Sequence, residues 1–137
     1  MAKGIARTSS ILGANYDANP KEISCLPYKY VSFMIIYTFD PLSVNGKVNV
    51  KLERCFTLDK VNYWSSAESV VQTGDFATNP LASTMHAEEI EFVPTSTYAS
   101  IIWDVGLHNS DKIRLRAKES GTPAQPGTCL IIFRLSL

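Results

Sequence analysis

The side chains able to do chemistry in this chain are few, and their spacing argues against most of it. The imidazoles are His86 and His108, and neither stands beside a nucleophile elbow; no G-x-S-x-G occurs. His86 with Glu88 and Glu89 in "HAEE" brings at most two ligands together on a strand or loop, whereas zinc wants three or four, so the group reads as solvated. A glycoside hydrolase needs two carboxylates facing each other across a cleft. Asp59, Asp75, Asp104 and the Glu88, Glu89, Glu91 group qualify by type alone, with nothing in the sequence to pair them. No glycine loop opens a helix to cradle phosphate. The expectation is a protein that is not an enzyme, with no catalytic, cofactor-binding or metal-ligating residues and no cofactor.

Charge carries more order than catalysis does. In "DKIRLRAK", read as a strand, Lys112, Arg114, Arg116 and Lys118 share one face and Ile113, Leu115 and Ala117 the other. Glu89 and Glu91 alternate likewise in "EEIEFVP". Ion pairing between such ridges, within the chain or between subunits, outweighs nucleic-acid contact, because no aromatic is interleaved with the cations for a base to stack on. Thirteen Lys and Arg balance thirteen Asp and Glu. No net charge therefore draws the chain to nucleic acid or to an anionic membrane. Cys25, Cys55 and Cys129 are odd in number and far apart, which fits buried thiols in a reducing compartment better than a disulfide framework. No signal-peptide core and no membrane-length apolar run is seen, so synthesis in a cytoplasm is expected.

The elements that carry these residues read as β throughout. A chain of 137 residues suits one domain that buries roughly two-thirds of its unfolded surface. Residues 1–20 are small, polar and rich in breakers, which predicts an extended N-terminal arm ahead of a domain over 21–137. Lys3, Ile5, Arg7, Ile11, Leu12 and Tyr16 are its candidate assembly contacts. They are too few to repay the ordering entropy on the chain's own sandwich, so the arm is expected to lie on a neighbour, and its deletion to leave a folded domain.

"YKYVSFMIIYTF" is apolar on both faces, as in a central strand covered on two sides, and ends at Asp40-Pro41. After Asn45-Gly46, "KVNVKLE" sets Val48, Val50 and Leu52 against Lys47, Asn49, Lys51 and Glu53, one face core and one wet. "AESVVQT" is a short strand, "GDFATNPLASTMHA" a loop around Gly74, Asn79 and Pro80, and "EEIEFVP" a strand stopped by Pro94. "YASIIWDV", "KIRLRAK" and "TCLIIFRLSL" supply three more. The fold class is all-β, an antiparallel sandwich of seven or eight strands with a jelly-roll-like arrangement. Trp64, Ile90, Phe92 and Ile102 are expected in the core beside Val31, Phe33, Ile35, Val48, Val50, Leu52, Ile113, Leu115, Ile131 and Phe133.

Within "GKVNVKLERCFTLDKVNYW", Gly46, Val48 and Val50 match a strand, Asp59 a turn and Trp64 an aromatic that together resemble β-sandwich proteins of phage virions and discoidin-like modules. "IIWDVGLHNSDKIRLRAKESGTPAQPGTCLIIFRL" is similar to the second half of such domains, so the resemblance spans residues 46–137. The turn also resembles the Asp box of sialidase-like propellers through Thr57, Asp59 and Trp64, although Val61 stands where the box has glycine and the motif occurs once. That likeness implies a structural turn, Asp59 bonding its own backbone and Trp64 plugging the core. The resemblance implies a virion structural protein, a capsid decoration, connector, tail or spike subunit whose partners are other virion proteins or copies of itself. A carbohydrate-binding or adhesive module is the alternative, with Tyr63, Trp64 or Trp103 stacking on a glycan.

Overall fold

The computed structural model describes residues 2–38, 47–66, 68–72, 83–87, 89–92, 98–120 and 127–137, with 66, 68–72, 83–87, 92, 98–99 and 120 given by their backbone. In chain order the strands are β1 (Ala2–Ile11), β2 (Ile23–Ser24), β3 (Tyr30–Thr38), β4 (Lys47–Leu58), β5 (Val61–Ser66), β6 (Glu68–Gln72), β7 (Ser83–Ala87), β8 (Glu89–Phe92), β9 (Tyr98–Gly106), β10 (Lys112–Ser120) and β11 (Thr128–Ser136). No helix occurs among the described residues. Asp40-Pro41, Asn45-Gly46, the segment from Gly74 to Pro80, Glu88 and Pro94 lie outside them, as do the side chains of His86 and Phe92.

Two antiparallel sheets pack into a sandwich. One has the order β1-β11-β3-β9; the other has β2-β10-β4-β5, with β8 also on β4. β4 is long enough to hold two neighbours along one side, β5 against residues 53–58 and β8 against 48–51. β6 and β7 form a separate two-stranded ladder. Residues 83–87, expected within a loop, are thus a strand: their backbone finds partners on β6 that a reading of turn formers does not foresee.

The core follows from period-two alternation. Val31, Phe33, Ile35 and Tyr37 of β3 and Cys129, Ile131, Phe133 and Leu135 of β11 face Val48, Val50 and Leu52 of β4 and Ile113, Leu115 and Ala117 of β10. Three expected members are placed otherwise. Ile102 points outward and is 64% exposed, because β9 turns Trp103 and Val105 inward instead, where they pack partly buried against the core. Trp64 is half-buried outside the core, and Ile90 only partly buried against it.

The N-terminal segment corrects the largest expectation. Residues 2–11 do not leave the sandwich; β1 is an edge strand paired with β11, from Ala2↔Leu135 to Ile11↔Thr128, with irregularities between Ile5 and Arg7 and between Arg7 and Ser10. Such bulges blunt a sheet edge. Ala6 and Leu12 are buried, and the chain continues along β10 through Asp17 N–H to Ala117 O at 3.2 Å and Glu119 N–H to Gly13 O at 2.9 Å. Arg7 holds the segment down. Its guanidinium is nearly fully buried, grips Asp17 through Nε–Oδ2 at 2.8 Å and Nη2–Oδ1 at 3.2 Å, and donates to Cys129 O, Ser10 O and Ile11 O. The few apolar side chains do not repay the ordering entropy by themselves; the backbone ladder that β11 offers and the buried ion pair that closes it supply the rest.

Gly127 is the other fixed point. Its N–H donates to Glu119 Oε2 at 2.7 Å, and Tyr37 Oη donates to Glu119 Oε1, so a buried carboxylate joins the two sheets. A Cβ on Gly127 would lie 2.5 Å from the Tyr37 ring, which leaves glycine as the residue that fits.

Candidate functional site

The outer face of the β2-β10-β4-β5 sheet gathers most of the charged residues singled out in the sequence. Ladder partners Arg114↔Glu53, Arg116↔Lys51 and Lys118↔Asn49 place these side chains side by side, and Lys51↔Glu89 and Asn49↔Glu91 extend the rows to β8. The two ridges do not meet, because β4 lies between them, and each pairs with β4 instead.

Glu53 is the hub. Arg114 Nε reaches its Oε1 at 2.8 Å and Arg116 Nε the same atom at 2.5 Å, with the glutamate only 5% exposed. Burial pushes the Glu53 pKa up, but the hydrogen bonds from Arg116 and Arg114 and their positive charges outweigh it and hold the carboxyl below its ordinary value. Arg116 also donates to Asp17 O and to Ala18 O at 3.3 Å, which ties the hub to the N-terminal segment.

Two aromatics cover this layer. The Arg114 guanidinium carbon sits 3.8 Å from the centroid of the Trp64 ring, a cation–π contact across strands. Trp64 is therefore a lid on the outer face and not a core plug. Tyr16 lies with its ring 4.5 Å from both the Lys51 and Lys118 ammonium nitrogens and donates its hydroxyl to Glu89 Oε1. Desolvation, then the bond to Glu89, raises the Tyr16 pKa, so the phenol stays protonated as a donor. Asn49 Nδ2 completes the rows, donating to Glu91 Oε2 at 2.9 Å and Glu89 Oε1 at 3.4 Å. The face expected to be wet is thus largely covered: Asn49 and Glu53 are buried.

Asp59 and Lys60 are the two central residues of the β4–β5 hairpin, at φ 51° and 66°. Those values are the ones a two-residue type I′ turn requires. Asp59 serves through its left-handed backbone; its carboxylate makes no hydrogen bond to a described residue, contrary to the expected self-bonded turn. Beyond the core the hairpin exposes Phe56, Leu58, Val61 and Tyr63, all about half open or more.

The N-terminal candidates divide. Arg7 and Leu12 are buried structural residues and Tyr16 is the clasp just described. Lys3, Ile5 and Ile11 are exposed. Glu53 and Asn49 carry no site signal in the sequence, since a polar residue in an alternating strand reads as solvated until its neighbours are known, and Asp17 stands among the turn formers between β1 and β2.

The thiols are shielded. All three cysteines are free and buried, and burial pushes the Cys25 and Cys129 thiols up to about 11, away from the reactive thiolate. No cluster of three or more potential metal ligands stands among the described residues.

The outer face of the other sheet is of a different kind. Tyr30, Met34 and Ile102 are exposed on it beside Ile5, and Ile36, Leu130 and Ile132 are half-buried. β3 is central, as its two-sided apolar pattern predicts, but only its inner face is covered. No family model, curated protein or solved structure matches the chain.

Proposed function

We propose that the chain is a virion structural protein, a small sandwich subunit that acts by assembly as a capsid decoration, connector, tail or spike. The observation that carries this reading is the open apolar face of the β1-β11-β3-β9 sheet. Ile102 is 64% and Met34 40% exposed on a strand pair whose sequence suits burial on both sides, and a contiguous apolar surface of this kind marks a protein–protein contact. The resemblance of residues 46–137 to phage sandwich proteins adds the virion.

We read the nested strand order as a jelly roll: β1 beside β11, β2 beside β10, β3 between β11 and β9. That architecture serves both viral capsid and lectin domains. The half-exposed Tyr63 on the β4–β5 hairpin supports the adhesive module as second reading. Mass spectrometry of particles purified from cells that produce the chain tests the first. A fixed copy number per particle is expected; absence from particles, with glycan-array binding lost on Tyr63→Ala, gives the second.

A further inference from the structure

We infer that two copies of the chain pack face to face through the outer side of the β1-β11-β3-β9 sheet, about a two-fold axis parallel to the strands. This deepens the assembly reading, and it rests on that reading only for its biological use. The rows that cross the four strands carry it. Ladder partners Ile5↔Ile132, Ile132↔Met34 and Met34↔Ile102 form one apolar row from edge to edge. Leu130 and Ile36 extend it on one side. On the other side runs Lys3↔Arg134, Arg134↔Ser32, Ser32↔Asp104, with cations at the β1 end and a carboxylate at the β9 end. Between the two rows lies a shallow groove of about 380 Å³, floored by Phe33, Met34, Ile102 and Ile132 and rimmed by Lys3 and Arg134.

Charge selects the partner and the axis. Ser32 Oγ donates to Asp104 Oδ1 at 2.6 Å, which fixes the carboxylate on the face. A two-fold axis parallel to the strands exchanges the two edges of the sheet and keeps position along the strands. Lys3 then meets the partner subunit's Asp104, Arg134 meets the partner subunit's Ser32, and the apolar row covers itself. An axis across the strands keeps β9 over β9 at every height, so Asp104 never reaches a cation of β1 or β11. The surface is therefore complementary to itself in one orientation. Four strands at ~4.8 Å spacing and nine residues at ~3.3 Å give on the order of 1,100 Å² buried in total, at the small end of specific interfaces. Sheets packed this way lie ~10 Å apart, with room for Met34 and Ile102 to interdigitate.

Sedimentation velocity on the full chain from about 1 µM to about 200 µM tests this, with circular dichroism melts to show that each variant is folded. A concentration-dependent dimer is expected. Ile102→Glu and, separately, Asp104→Lys should each weaken it about tenfold or more, and Lys3→Asp combined with Asp104→Lys should return it to within about threefold of wild type. A chain that stays monomeric, a dimer indifferent to Ile102→Glu, or a charge swap that fails to restore association overturns the inference. So does a monomer whose Ile102→Glu variant is lost from particles, which gives the face to a different protein. A dimer that obeys the swap while the chain is missing from particles sinks the virion reading and leaves the dimer standing.

Discussion

The two outer faces of this sandwich are opposite solutions to one problem, the side of a sheet that its own core does not use. On the β2-β10-β4-β5 sheet the exposed-looking pattern of Lys, Arg, Glu and Asn is closed internally: Glu53 accepts from two arginines, Trp64 lies on Arg114, and Tyr16 bridges Lys51, Lys118 and Glu89. On the β1-β11-β3-β9 sheet, apolar residues that suit burial stand open. A charged surface can therefore be spent on the fold itself, while an apolar one is left for contact. The surface that looks reactive in the sequence is the structural one.

That contrast is easiest to break at its hub. Arg114→Glu sets a second carboxylate against Glu53 and strips Trp64 of its cation, so urea unfolding should show a loss of about 3–5 kcal/mol, the range for disrupting a buried pair. An unchanged midpoint would mean that the hub is merely solvated. Acid should probe the same group. The folded pKa of Glu53 lies below its unfolded value, so the unfolded chain binds more protons between the two. The stability it contributes is present above the ordinary carboxylate pKa of about 4.3 and is lost as pH falls through the lower folded value. Glu53→Gln should flatten that part of the stability–pH curve.

Tyr16→Phe keeps the ring between the two lysines and removes only the donor to Glu89, for about 1 kcal/mol given the partial exposure of the pair. The smallest effect belongs to the opposite face. Ile102→Ser should leave the dilute monomer within about 0.5 kcal/mol of wild type, because the side chain is already in water. A loss of several kcal/mol there, in a protein shown to be monomeric, would erase the distinction between the faces.

The sequence makes the sandwich legible because alternation is a local signal: Val48, Val50 and Leu52 declare their face without reference to any partner. It fails where the partner decides. The run "SIIW" alternates equally well in either phase, and only pairing with β3 turns Trp103 in and Ile102 out. Glu53 reads as wet because its two arginines lie some sixty residues away on β10. The N-terminal segment reads as an arm because its anchor is a backbone ladder to the other end of the chain. Deleting residues 2–16 should accordingly unfold the domain, removing β1, Leu12 and the Arg7–Asp17 pair, where composition alone predicts a folded remainder.

The three buried thiols sit along the seams of the two sheets: Cys129 under the closure of β1 on β11, and Cys25, just past β2, with Cys55, toward the end of β4, on either side of Asp111. Buried, all three are shielded from alkylating reagents while the fold is shut, and burial also holds the protons of Cys25 and Cys129, so each is labelled only when the strands around it part. The chain thus carries three built-in clocks of local opening, and the order in which they are labelled tells whether the sandwich first comes undone at the N-terminal edge strand or at the charged sheet.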